Sequence, residues 1–170
     1  LRSNYGETSE SLFLTQGFVY ECSEQAEARF IKTGPDEFIY ARYGNPTSRM
    51  FEDRIADLEG TEDAFATASG MAAVNGALMS MVAPGDRVVA SRQLFGSCLY
   101  VLDVLEKFGV DVVLVDGTDL DQWRTAVTPG TKACFFETVS NPTLEVMDIA
   151  GIADIAHAVY GSRAYLARRN

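Results

Sequence analysis

A phenol and a guanidinium stand two residues apart in Tyr40-Ala41-Arg42, and an extended backbone would turn both to one side. Arginine grips phosphate through two parallel hydrogen bonds and a tyrosine hydroxyl adds a donor, so the pair suits a phosphomonoester. A solvated Arg beside a core Tyr is the plainer account of the same spacing. Ser69-Gly70-Met71 places a hydroxyl and a glycine at what reads as a helix start, where free N–H groups and the positive dipole end can hold an anion. A small-residue turn ahead of a helix also serves ordinary packing. Gln93-Leu94-Phe95-Gly96-Ser97 can lay Phe95 over a flat heteroaromatic ligand, with Gly96 allowing close approach, or can bury Phe95 in the core. In FFETVSNPT (135–143), Glu137 and Asn141 follow an apolar stretch with polar groups that are costly inside a sheet and natural at its mouth, though Asn before Pro is also a common turn.

These groups need elements to hold them. From Pro46 onward Phe51, Ile55 and Leu58 fall at helical spacing, with Thr47 as the expected N-cap and Gly60 as the stop. AFATAS (64–69) reads as a short buried strand, and MAAVNGALMSM as a helix ended by Pro84-Gly85. The alternation continues through strand RVVAS (87–91), a helix within SCLYVLDVLEKF closed by Gly109, and strand VDVVLVD (110–116). A helix around DLDQWRTAV (119–127), strand KACFFET (132–138) and a helix through DIAGIADIAHAV (148–159) complete it. The expected fold class is therefore α/β, a mostly parallel sheet flanked by helices and joined by right-handed crossovers. In such sheets ligands gather at the carboxyl ends of strands, so the loops holding Ser69, Phe95 and Glu137 converge on one crevice.

Bulk properties narrow the function classes. With 24 acidic against 14 basic residues, the net charge of −10 opposes nucleic acid or anionic membrane as partners of a broad basic surface. Cys22, Cys98 and Cys134 form no CxxC, so neither a disulfide framework nor a metal site is expected, and a reducing cytoplasm fits. No apolar run is long enough to cross a bilayer, and LRSNYGETSE lacks the apolar region of a signal peptide. No GxGxxG follows the first strand and no GxxxxGK[ST] occurs, which disfavours a nucleotide-binding module. His157 lies in a pattern of small and apolar residues and reads as a helix-face residue.

YARYGNPT, ATASGMAA, LFGSC and FFETVSNPT resemble, in order and spacing, the motifs of the Cys/Met-metabolism pyridoxal-phosphate (PLP) enzymes, over about residues 5–159. The resemblance implies the front part of the fold type I large domain: residues 1–46 an N-terminal arm and interface segment, 47–159 a partial PLP-binding domain, and 160–170 an atypical tail. It implies PLP as cofactor, with Gly70 and Met71 giving N–H groups to the phosphate beside Ser69, and Tyr40 and Arg42 gripping the phosphate of a neighbouring subunit. Phe95 would stack on the pyridine ring at a position usually held by Tyr, so that stacking remains and acid–base capacity is lost. Asn141 would approach the phenolic oxygen, and Glu137 would stand nearby as a supporting or substrate-side carboxylate. Within the family, ETSESLFLTQGFVY and LFGSC are most similar to the O-succinylhomoserine sulfhydrylases. The implied reaction is γ-replacement on an activated homoserine, with γ-elimination as the alternative, in a homo-oligomer sharing its active site across a dimer interface and acting on a small amino-acid substrate.

That chemistry needs a Schiff-base lysine and an acid partner for the ring nitrogen. Only Lys32, Lys107 and Lys132 occur, none in the family's lysine context, so no catalytic residue is assigned. After Val159 an apolar strand is expected, yet the chain reads YGSRAYLARRN. The expectation is a truncated, inactive form, or a non-catalytic fragment that pairs with intact subunits.

Overall fold

The structure, a computed structural model, describes residues 5–34 and 36–160. The expected atypical tail therefore falls outside the described residues, except for the helical backbone of Tyr160. The chain divides into two compact units, Leu1–Thr67 and Ala68–Asn170.

The first unit carries two helices, α1 (Ser23–Ile31) and α2 (Pro46–Glu59). No residue of α1 is buried. The N-cap of α2 is Asn45 rather than the expected Thr47. Pro46 takes the first helical position because it has no N–H to leave orphaned, and this moves the cap one residue upstream of it. Asn45 Oδ1 accepts the Thr47 N–H at 2.8 Å while its Nδ2 donates to the Phe13 carbonyl at 2.9 Å. The Thr47 hydroxyl instead accepts the Phe13 N–H at 2.9 Å, so both residues pin the preceding segment. Gly60 ends α2 at φ 67°, the left-handed conformation that glycine adopts without strain.

Residues 64–69 form no strand, contrary to expectation, and Phe65 is 85% exposed. Their backbone is held by carboxylates instead of a ladder: the Ala64 N–H donates to Asp63 and the Ala66 N–H to Glu52, both at 2.8 Å.

In the second unit three strands, β1 (Arg87–Ser91), β2 (Asp111–Val115) and β3 (Thr131–Phe135), pair in parallel in the order β2-β1-β3. Four helices accompany them: α3 (Gly70–Met81), α4 (Gly96–Lys107), α5 (Leu120–Ala126) and α6 (Ile149–Tyr160). The central strand β1 sends Val88 and Ala90 into one apolar cluster with Leu78, Leu94, Leu102 and Leu105, and Val89 into a second with Val115, Trp123 and Ile152. Helices α3 and α4 thus cover one face and α5 and α6 the other, which is why the middle of β1, Val88-Val89-Ala90, is apolar on both faces. Trp123 is fully buried, with its indole N–H bound to the Gly117 carbonyl at 3.0 Å.

After β3 the chain makes an element that the sequence pattern did not reveal. Val139 and Val146 form an antiparallel bridge, the Ser140 N–H donates to the Glu145 carbonyl, and the Met147 N–H to that of Thr138. The fully buried Ser140 hydroxyl, 2.5 Å from that of Thr143, accepts the Glu145 N–H at 2.9 Å. Backbone bonds and the Ser140 hydroxyl hold the turn of this small hairpin, and Met147 seats its end in the second apolar cluster.

Candidate functional site

Because the strands run parallel, the loops after β1 and β3 emerge at the same end of neighbouring strands, Ala90 lying opposite Phe135. Phe95 occupies the N-cap position of α4 and, being apolar, offers no side-chain cap. Glu137 reaches the N–H of this N-cap residue itself. Its Oε1 accepts the Phe95 N–H at 3.1 Å and its Oε2 accepts the Asn141 N–H at 2.8 Å. The carboxylate therefore puts negative charge at the positive end of α4. The Phe95 ring is 44% exposed, and the Asn141 side chain is exposed with no partner among the described residues.

At the start of α3, Ser69 Oγ accepts the Ala72 N–H at 3.1 Å and the Ser69 carbonyl accepts that of Ala73. The N–H groups of Gly70 and Met71 are left without an acceptor among the described residues. Apart from its chain neighbours and the backbone of its own helix, nothing lies within 4 Å of where a Gly70 side chain would begin, so a ligand can approach the backbone there. The Met71 side chain packs into the cluster that includes Leu94 and receives Phe135, which draws the helix start toward the ends of β1 and β3. Ser69, Gly70, Met71, Phe95, Glu137 and Asn141 thus all belong to one unit.

Tyr40 and Arg42 belong to the other unit. Their segment is a turn rather than the extended run expected, because the Tyr43 and Gly44 N–H groups both donate to the Tyr40 carbonyl, at 2.9 and 3.2 Å. The two side chains still meet. The Arg42 guanidinium carbon lies 4.9 Å from the Tyr40 ring centre and 5.3 Å from that of Tyr43. Among the described residues no carboxylate pairs with Arg42, whereas neighbouring Arg49 is engaged by Asp53 and Asp63 at 2.8 and 2.9 Å.

Sequence reasoning missed a polar network behind the Phe95 loop. Gln93 Nε2 donates to Asp116 at 3.0 Å, while its Oε1 accepts the Ser91 hydroxyl and the Gly117 N–H. Asp116 also accepts the N–H and hydroxyl of Thr118, and these bonds, the N–H first, hold its carboxyl below the usual value. Gln93 stands beside Phe95 in the motif, but a polar loop residue carries no sign of whether it faces ligand or backbone. Burial pushes the Cys98 thiol up, and the nearby Glu137 charge adds to this. Lys132 is the second residue of β3 and Lys107 ends α4, near the ends of those elements remote from Glu137 and Phe95, while Lys32 follows α1 in the first unit. Roughly 10 Å of strand separates Lys132 from Phe135. Among the described residues no cluster of three His, Cys, Asp or Glu is placed to hold a metal, and no helix is long and apolar enough to cross a membrane.

The model of the family described as Cys/Met metabolism PLP-dependent enzyme matches residues 2–164. The chain belongs to that family. It is 49% identical over 159 residues to an O-succinylhomoserine sulfhydrylase of Mycobacterium tuberculosis, a match covering 93% of this chain and 39% of the relative. An L-methionine gamma-lyase of Treponema denticola is 36% identical over 159 residues, with the same two shares. A Campylobacter jejuni protein assigned as an O-acetylhomoserine (thiol)-lyase, whose crystal structure contains a pyridoxyl-lysine monophosphate, superposes at a TM-score of 0.80 with 34% identity, covering 90% of this chain and 38% of its own. The chain spans about two-fifths of the length of these relatives, matching 39% of the curated ones. This Cys/Met-metabolism chain has the fold of the front of PLP-dependent enzymes, and pyridoxal phosphate is the family's cofactor. Its residues suit that group: free N–H donors with open approach at a helix start suit a phosphate, and a half-exposed phenyl face suits a pyridine ring.

Proposed function

We propose that the Ala68–Asn170 unit holds pyridoxal phosphate at the carboxyl end of its sheet, as part of an enzyme that replaces the γ-substituent of an activated homoserine with sulfide or a thiol. The observation that carries this reading is the pair of unpartnered Gly70 and Met71 N–H groups at the start of α3, in the same unit as Phe95 and Asn141. When bound, the cofactor supplies an electron sink. The Gly70 and Met71 N–H groups, with Ser69 shaping the turn, orient its phosphate. Phe95 stacks on the ring and shields it from water, without a hydroxyl to move a proton. Asn141 donates its unengaged amide N–H to the phenolic oxygen, and Glu137 stands behind both. Tyr40 and Arg42, in an arm and interface segment of residues 1–46, grip the phosphate held by a second copy, which makes the protein a homo-oligomer of the cytoplasm. The two tyrosine rings around Arg42 and its lack of a carboxylate partner among the described residues support that role.

Replacement is favoured over elimination by the greater identity to the sulfhydrylase than to the lyase, 49% against 36%. The three lysines lie away from the site residues of the second unit or outside that unit, which supports a chain that binds the cofactor without turning over substrate. Titrating PLP into the purified chain tests the reading through the cofactor's absorbance. Saturable binding is expected, weakened about tenfold by Asn141→Ala and by Phe95→Ala through loss of one hydrogen bond or one stacked ring. No saturable binding, or equal affinity in all three proteins, would sink it.

A further inference from the structure

We infer that Glu137 is a positioning residue, a carboxylate clamp that sets the Phe95 ring and the Asn141 amide relative to each other rather than an acid–base group facing substrate. The inference rests on the reading that Phe95 and Asn141 meet the cofactor. Both oxygens of Glu137 are engaged by backbone N–H groups, of Phe95 at 3.1 Å and of Asn141 at 2.8 Å, residues 46 positions apart in the chain. One side chain thereby joins the loop after β1 to the loop after β3. Nothing else ties these two N–H groups down. Phe95 has no cap of its own, and no other acceptor for either N–H occurs among the described residues.

The surroundings suit a fixed hydrogen-bond acceptor, since each Glu137 oxygen already holds one backbone N–H. The positive end of α4 faces the carboxylate. Cys98, in the first turn of α4, has its thiol pushed up by burial first and by the nearby Glu137 second. A carboxylate that accepts two N–H bonds is held in one orientation, and so are the residues that donate them. Phe95 is 44% exposed and the Asn141 side chain has no hydrogen-bond partner among the described residues, so backbone anchorage bears on where ring and amide point.

The test reads amide hydrogen exchange by NMR on the whole chain without cofactor, then PLP affinity and the absorbance maximum of the bound cofactor. In Glu137→Ala the Phe95 and Asn141 amides are expected to exchange at least about tenfold faster, each having lost a bond to a charged acceptor. The Val88, Val89 and Ala90 amides of the core should be unchanged. Glu137→Gln keeps one acceptor oxygen and turns an NH2 toward the other N–H, so one amide alone should lose protection. PLP should bind about tenfold more weakly to Glu137→Ala, with a shifted absorbance maximum, and Glu137→Gln should restore part of both. Should Glu137→Ala also loosen the core amides, the Gln variant decides. Wild-type exchange at both amides in either variant would overturn the clamp. Released amides with unchanged affinity and spectrum would overturn its positioning role. A wild-type chain that bound no PLP would remove the cofactor reading instead, while the exchange rates still judged the clamp.

Discussion

Gly117, just past β2, shows how closely single residues are constrained here. A side chain begun at that position would overlap the Ser91 hydroxyl and stand 2.5 Å from the Met147 sulfur. Its carbonyl also holds the Trp123 indole. Gly117→Ala is therefore expected to cost about 1–3 kcal/mol by overpacking, read as a lower urea midpoint. Beside it, Asp116 and Asp119 are both held below the ordinary carboxyl value of 3.8. For Asp119 the Gln122 side chain is the main cause, followed by the N–H groups of Gln122 and Asp121. A depressed carboxyl stabilises the fold above its unfolded value and loses that contribution as pH falls through the folded one. Stability should therefore be level near neutrality and decline below about pH 4, and the deficit of Asp119→Ala should shrink there. Equal deficits at neutral and acid pH would refute this. Phe95 and Asn141 stood out in the sequence as chemistry-bearing types at strand ends. The Glu137 bridge between them did not, because it joins loops from strands that the chain order does not show to be neighbours.

At the scale of elements, caps and turns account for the departures from expectation. Asn45 both caps α2 and ties down Phe13, so Asn45→Ala is expected to lose about 1 kcal/mol and to speed proteolytic cutting near Phe13. An unchanged melting temperature and cleavage pattern would count against that double role. RVVAS, DVVLV and the helices after them were legible because hydrophobic runs and Gly stops report backbone state locally. Residues 64–69 misled because small residues next to Gly fit a strand as well as a loop. Their fate hung on Asp63 and Glu52 reaching the Ala64 and Ala66 N–H groups.

For the molecule as a whole, the apolar surface of the first unit is the governing feature. Leu12, Leu14 and Val19 are 72–96% exposed, and no residue of α1 is fully buried. Apolar side chains exposed this close together in the chain favour association where they form a shared surface. Sedimentation velocity is expected to show concentration-dependent association despite the charge of −10, with Leu14→Glu shifting the distribution toward monomer. A wild-type monomer at all concentrations would contradict it.

The sequence by itself determined the alternation of strands and helices, the family motifs and the residues able to meet a phosphate and a flat ring, since each depends on neighbours a few positions apart. Only the tertiary structure decided the order β2-β1-β3, the engagement of both Glu137 oxygens, the hairpin of 138–147 and the turn that stacks Arg42 on Tyr40. Those depend on which distant backbone donors come within hydrogen-bond reach, a property of packing in space that local periodicity does not carry.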